Sequence, residues 1–123
     1  MLGLPLVSVV VAGPKSSKRM QLIFDSGAFM TQLNRNTLSS IGFTFAGRAT
    51  DLFIKGVTGP KQSGYSLPVS RVFVLGKKFS DVAVGAFDFT EWVNQGIDGL
   101  LGWDLIEKLH FEMNGPLGIL KIL

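Results

Sequence analysis

Turn-forming residues divide this chain into short segments, and their spacing limits the fold more than any other feature of the sequence. The chain contains 15 glycines and 5 prolines among 123 residues, and they separate runs of β-branched and aromatic residues. Such runs, bounded by turn-forming residues, are typical of β-strands joined by tight turns. The sequence therefore predicts a β-rich fold, and its length suits a single domain over residues 1–123.

The predicted strands alternate with turn signals along the whole chain. They cover residues 6–12, 19–24, 31–34, 51–55, 61–69, 72–75, 82–84, 111–113 and 117–123. Residues 36–42 read as one or two helical turns, and residues 87–95 read as a loop. The only convincing helix covers residues 103–109, where Leu105, Ile106 and Leu109 recur at helical spacing. The pattern indicates an all-β, barrel-like domain with one helix near its end.

Composition excludes several kinds of chemistry. The chain has no cysteine and a single histidine, His110, so a thiolate nucleophile is excluded and a zinc site of the usual kind is not expected. The net charge is +3, but the basic residues are scattered, which argues against nucleic-acid binding. The apolar first twelve residues are too short to span a bilayer and read better as a strand. We expect no cofactor, no metal and no membrane partner.

An acidic residue stands directly after the second predicted strand. The strand ends in Leu22-Ile23-Phe24 and runs straight into Asp25-Ser26-Gly27-Ala28. An apolar strand places Asp25 at a buried or half-buried strand end, where an isolated ionised carboxylate is costly. Gly27 allows the backbone to approach another chain or a ligand closely. Asp25 is therefore the candidate reactive group.

A second segment, Gly99-Leu100-Leu101-Gly102, predicts a buried strand in a crowded place, followed at once by the helix. An apolar strand ending in Asp-Ser-Gly-Ala, a glycine-tipped hairpin, and a later apolar-apolar-glycine stretch entering a short helix resemble the retropepsin-like aspartic proteases. The resemblance runs from about Leu6 to Leu123. It implies the closed, barrel-like retropepsin (acid protease) fold with one short C-terminal helix.

The resemblance also implies a function and a set of site residues. The protein would be an aspartic endopeptidase that acts on peptide or protein substrates. Asp25 would be the catalytic aspartate, and Ser26 and Gly27 would form its supporting loop. Substrate would be contacted by a further group of residues, which includes the flap that closes over a bound peptide: Ala28, Gly56, Val57, Thr58 and Gly59.

A single Asp-Ser-Gly motif has a consequence for assembly. Hydrolysis of a peptide by water needs a base for the proton of water and an acid for the carbonyl oxygen. Two carboxylates that share one proton supply both, and larger members of this superfamily carry two such motifs in one chain. This chain carries one, at Asp25. A homodimer with two-fold symmetry is therefore expected to complete the site.

The chain departs from its viral relatives at two positions. Those relatives form an ion pair between an acidic residue after the alanine and an arginine after the later glycine, where this chain has Phe29 and Trp103. We expect an aromatic contact to replace the ion pair, since it avoids burying two charges.

Other interpretations remain open at the level of sequence. The same fold can serve as a catalytically silent, dimeric domain that binds peptides. A glycosidase would need Asp25 and either Asp98 or Asp104 in one cleft. Asp104 is better interpreted as a residue of the first turn of the helix, where the helix dipole favours a negative charge. Asp98 is better interpreted as a turn residue. Aromatic residues around Trp92 could line a cleft or cover the core.

Overall fold

The computed structural model describes residues 5–55, 61–109, 111–114 and 119–122. These ranges contain nine strands and three short helices. The strands are β1 (Leu6–Ala12), β2 (Ser17–Phe24), β3 (Gln32–Asn34), β4 (Leu52–Lys55), β5 (Lys61–Val74), β6 (Lys77–Phe87), β7 (Gly99–Leu101), β8 (Phe111–Asn114) and β9 (Ile119–Ile122). The helices are α1 (Arg35–Ser40), α2 (Thr90–Val93) and α3 (Trp103–Ile106), and none of them is long and apolar enough to cross a membrane.

Six of the strands close into a barrel in the order β1-β2-β7-β3-β6-β5, with β5 pairing back onto β1. β4 pairs with the first part of β5 and extends from the barrel as the arm of a hairpin. β8 and β9 form a separate two-stranded sheet. The predicted all-β barrel with a short helix near its C-terminal end is confirmed.

The barrel closes around one apolar core because alternate residues of its strands point inward. In β1, Val7, Val9 and Val11 are almost fully buried, while their neighbours Leu6 and Ser8 reach solvent. The other strands and α3 contribute further buried aliphatic side chains. Each such side chain stabilises the fold by roughly 1.5–3 kcal/mol relative to an exposed position.

The position of β7 determines where the candidate site lies. β7 runs parallel to β2 on one side and antiparallel to β3 on the other. The chain therefore leaves β2, passes the end of β7 through residues 25–31, and returns as β3 on its far side. The loop that carries Asp25 is held at the end of three adjacent strands.

Three details of the sequence prediction need correction. Residues 87–95 are not a continuous loop, because α2 forms within them. Asp88 accepts hydrogen bonds from the N–H and hydroxyl of Thr90, which lower the pKa of Asp88 and support the start of this helix. The two strands predicted at residues 61–69 and 72–75 are one continuous strand, β5. The last helix, α3, ends at Ile106 rather than at residue 109.

Candidate active site

Asp25 follows the last residue of β2, and its backbone and side chain are both fixed. Its N–H donates a hydrogen bond to the carbonyl oxygen of Leu101, at the end of β7, over 3.0 Å. Its own carbonyl oxygen accepts from the N–H of Ala28 at 3.1 Å. Its carboxylate Oδ1 accepts from the N–H of Gly27 at 3.0 Å. The carboxylate orientation is therefore determined by the backbone of its own loop.

The second carboxylate oxygen of Asp25 remains available for chemistry. Oδ2 accepts no hydrogen bond from any residue in the described ranges of the chain. Asp25 is half-buried, while Ser26 and Gly27 are exposed and Ala28 is buried. One oxygen is thus anchored, and the other makes no hydrogen bond within the described part of the chain.

Two glycines allow β7 to lie against the loop and strand that follow Asp25. A Cβ atom on Gly102 would lie 2.4 Å from the carbonyl carbon of Met30, and one on Gly99 would lie 2.0 Å from the carbonyl oxygen of Gln32. Both are contacts with backbone, which cannot rotate away. The crowding predicted around Leu100 and Leu101 is confirmed, and it explains why glycine stands at each end of this strand.

A buried threonine joins the loop to α3. Thr31 is 1% exposed, and both its N–H and its hydroxyl donate to Oδ1 of Asp104, at 2.9 and 2.8 Å. The same hydroxyl accepts from the N–H of Gly102 at 3.1 Å, and the carbonyl oxygen of Thr31 accepts from the N–H of Gly85 at 2.9 Å. Every polar group of Thr31 is therefore paired, so α3 and the Asp25 loop are held together.

Asp98 also has a structural role. Its Oδ2 accepts from the N–H of Gln21 at 3.2 Å, and its Oδ1 accepts from the hydroxyl of Thr37 at 3.2 Å. The buried side chain of Asn34 continues the network, donating to the Thr37 hydroxyl at 3.0 Å. Asn34 then accepts from the N–H of Phe89 at 2.9 Å. This network connects β2, α1 and β3 with the chain that follows β6.

Neither Asp98 nor Asp104 is placed as a partner carboxylate for Asp25. Their oxygens accept hydrogen bonds from backbone and hydroxyl groups inside the fold, so both carboxyl groups have a structural role. The interpretation of Asp98 as a turn residue was incomplete, because its carboxylate also accepts hydrogen bonds from Gln21 and Thr37. Thr31, Thr37 and the linking role of Asp104 were missed, because a lone threonine in a sequence gives no sign of the distant residue that it contacts.

The expected contact between Phe29 and Trp103 is not formed within the chain. Phe29 is 91% exposed and Trp103 is 45% exposed, so their rings do not bury each other. The link between the two segments is made by backbone instead, where the N–H of Trp103 donates to the carbonyl oxygen of Ala28 at 2.8 Å. The prediction was wrong because aromatic residues need a surface to pack on, and here both side chains face outward.

The predicted flap residues Gly56, Val57, Thr58 and Gly59 lie outside the described residues, as does His110. The two arms that lead to this segment are described. β4 pairs antiparallel with β5, and the register ends at Lys55 opposite Lys61. The intervening residues 56–60 therefore connect the arms of one hairpin, as the sequence predicted.

Aromatic residues outside the Asp25 loop have two locations. Phe87 is 1% exposed and belongs to the interior, whereas Phe89 packs against Trp92 with ring centroids 5.1 Å apart. A shallow cleft of about 490 Å³ lies elsewhere on the chain. Asp25 does not line this cleft, which is formed by Arg35, Ser39, Phe43, Thr44, Phe45, Ala46 and Tyr65.

Comparison with known proteins agrees with this fold. A family model described as aspartyl protease matches residues 7–105. A crystal structure of a retropepsin-like aspartic protease from Rickettsia conorii superposes with a TM-score of 0.69 at 18% sequence identity, covering 96% of this chain and 88% of that one. No curated protein matches at a significant level. The chain belongs to the aspartyl protease family, and its fold is retropepsin-like.

Proposed function

We propose that this protein is an aspartic endopeptidase, which hydrolyses peptide bonds with a water molecule activated by two Asp25 carboxylates, one from each chain of a homodimer. Ser26 and Gly27 form the loop that holds each carboxylate, and Ala28 contributes to substrate binding. Family membership and fold support a protease-type function. The assignment to these residues is our inference from the geometry.

The observation that carries the proposal is the state of the Asp25 carboxylate. Its Oδ1 is held by the N–H of Gly27, and its Oδ2 is left without a partner among the described residues. Asp98 uses both of its oxygens within the fold, and Asp104 accepts at Oδ1 from the buried Thr31 and from the start of α3, whereas Asp25 is anchored only by the backbone of its own exposed loop. An oriented carboxylate with one unused oxygen is suited to hold a water molecule or a shared proton.

The reaction divides its proton transfers between the two carboxyl groups. The ionised Asp25 accepts a proton from water as the water oxygen attacks the carbonyl carbon, and the protonated Asp25 donates its proton to the carbonyl oxygen. As the C–N bond of the resulting tetrahedral diol breaks, the Asp25 that took the proton of water donates it to the amide nitrogen, and the other Asp25 takes a proton from one hydroxyl of the diol. The products are a carboxylic acid and an amine, and the pair again holds one proton. Because two negative charges in contact repel each other, the pair works with one carboxyl group protonated and the other ionised.

The flap is part of the same proposal. β4 and β5 pair as the two arms of a hairpin, and the segment between them, which carries Gly56, Val57, Thr58 and Gly59, is proposed to close over the bound peptide. Exclusion of water from the closed site would strengthen the interaction of the carboxyl pair with the peptide carbonyl.

Dilution tests the shared site. We expect the rate of peptide cleavage per chain to fall steeply once the protein is diluted below the dissociation constant of the dimer, because a single chain carries one Asp25. The measurement is cleavage of a peptide library over a range of protein concentrations, with sedimentation velocity on the same samples. A rate per chain that stays constant down to fully monomeric protein would contradict the proposal. A dimer that binds peptides without cleaving them would show instead a catalytically silent binding domain.

A further inference from the structure

A cleft of about 490 Å³ is lined by α1, by the loop that follows this helix and by β5. We call it the α1 cleft. Its volume lies in the range of about 300–1,000 Å³ that is common for pockets that bind small ligands. Among the residues that the structure describes, none from the Asp25 loop, β7 or α3 lines it. The proposed function therefore leaves this cleft without a role.

Three aromatic side chains, Phe43, Phe45 and Tyr65, form the apolar wall of the α1 cleft, and all three pack against the core of the barrel. The rings of Phe45 and Tyr65 are in contact, with centroids 4.9 Å apart. The guanidinium of Arg48 lies 5.4 Å from the centroid of Tyr65 and 6.0 Å from that of Phe45. Arg48 also donates a hydrogen bond to the carbonyl oxygen of Ser66 at 2.8 Å. The wall is therefore ordered before a ligand arrives, which lowers the cost of binding.

The positive charge that lines the α1 cleft belongs to Arg35, the first residue of α1. Its side chain is half-buried and forms no hydrogen bond or ion pair with any residue in the described ranges. The carboxylate of Asp88 accepts hydrogen bonds from Thr90, which are the main reason why the pKa of Asp88 is lowered, and the charge of Arg35 adds a smaller effect. All five N–H groups of the Arg35 guanidinium therefore remain available to an anion.

Hydroxyl groups lie beside this cation. Ser39 stands four residues after Arg35, so the two side chains lie on the same face of α1. Thr44 adds a second hydroxyl to the lining, and no acidic residue of the described part of the chain contributes to it. A guanidinium binds a carboxylate through two parallel hydrogen bonds, and a neighbouring hydroxyl can donate another. The polar side of the cleft therefore suits a carboxylate.

We propose that the α1 cleft binds a carboxylate that carries an aromatic ring. Arg35 pairs with the carboxylate, and the ring packs against Phe45 and Tyr65, because aromatic rings pack favourably on one another. A free aromatic acid has this chemistry, and so does a peptide whose last residue is aromatic. The inference does not depend on Asp25 or on the proposed peptidase activity.

Two ligands that differ only in charge test the proposal. N-acetylphenylalanine carries the carboxylate, and N-acetylphenylalaninamide carries a neutral amide in its place. Each is titrated into the ¹⁵N-labelled protein, and binding is followed by the shifts of backbone amide signals. We expect the acid to shift signals of α1, of residues 43–46 and of Tyr65. The amide should bind about tenfold more weakly, because it forms no charge-assisted pair with Arg35.

Replacement of Arg35 by glutamine should weaken binding of the acid by about tenfold and leave binding of the amide unchanged. Arg71→Gln is the matched control, since it removes the same charge from an exposed position on β5. Arg71 lies six residues beyond Tyr65, which is roughly 20 Å along the strand. This control should bind the acid as the parent does. Thermal unfolding of both variants checks that they are folded.

The outcomes are separate from those that test the proposed function. Equal binding of the acid and the amide by the parent protein would overturn the proposal without any variant. Shifts confined to the Asp25 loop, or no shifts at millimolar ligand, would also overturn it and would leave the proposed function standing.

The tripeptide Gly-Gly-Phe distinguishes the two sources of the ligand. Binding as tight as that of N-acetylphenylalanine would support the cleft as a site for the C-terminus of a peptide. Shifts of the same signals by the small acid alone would support it as a site for a free aromatic acid.

Discussion

Replacement of Asp25 by asparagine is expected to reduce peptide cleavage by about 10⁴-fold or more, because the dimer loses both its base and its acid. The change preserves the shape of the side chain, and the oxygen of the amide can still accept the N–H of Gly27. The fold should therefore be unaffected. Steady-state cleavage of a peptide that the parent hydrolyses is the measurement, with thermal unfolding as the check on folding.

The matched control for this variant is Asp81→Asn. Asp81 is an exposed aspartate on β6 with a positive φ of 54°, a conformation that asparagine also tolerates. It should retain full activity. The Asp25→Asn dimer should be at least as stable as the parent dimer, since the repulsion between the two Asp25 carboxyl groups is removed. Undiminished cleavage by Asp25→Asn would refute the assignment of the catalytic residue.

Replacement of Gly102 by alanine is expected to destabilise the fold by about 3 kcal/mol or more, because the added Cβ would overlap backbone that cannot move aside. The φ of Gly102 is −93°, which alanine adopts without strain. The expected loss of stability therefore comes from overlap with backbone, since the added Cβ would lie 2.4 and 2.5 Å from the carbonyl carbon and oxygen of Met30 and 2.7 Å from the nitrogen of Thr31. Urea unfolding of the two proteins measures the difference.

Gly47→Ala is the control for this second variant. Nothing lies within 4 Å of a Cβ at Gly47, but its φ is +76°, so the change should cost only about 1 kcal/mol through backbone strain. A Gly102→Ala protein as stable as Gly47→Ala would show that β7 and the Asp25 loop are less tightly packed than the structure indicates. Loss of activity in a folded Gly102→Ala protein would show that this packing also positions Asp25.

Much of this architecture could be predicted from the sequence because strands and turns leave local signals. The run of β-branched residues in β1 predicted a strand, and the Gly-Leu-Leu-Gly segment around β7 predicted a buried strand. The four-residue helix α2 left no such signal, since it is too short to show periodicity. It was missed also because its N-cap, Phe89, makes no side-chain capping hydrogen bond that the sequence could have indicated.

The position of Asp25 at the end of an apolar strand could be predicted from the sequence, but the contacts around its loop could not. Asp25 could be identified because a carboxylate directly after an apolar strand is unusual. The hydrogen bonds from Thr31 to Asp104 and from Thr37 to Asp98 join residues more than sixty positions apart. The sequence around each threonine does not indicate which distant residue it contacts. The outward orientation of Phe29 and Trp103 likewise depends on how two separate segments meet.

Mixed dimers test the central claim most directly. Parent chains and Asp25→Asn chains are mixed at constant total concentration, allowed to exchange subunits fully, and assayed for peptide cleavage. With half of the chains replaced, a site shared between two copies predicts about one quarter of the parent rate, since only dimers with two aspartates are active. If each chain worked alone, about half of the rate would remain, and that result would contradict the account.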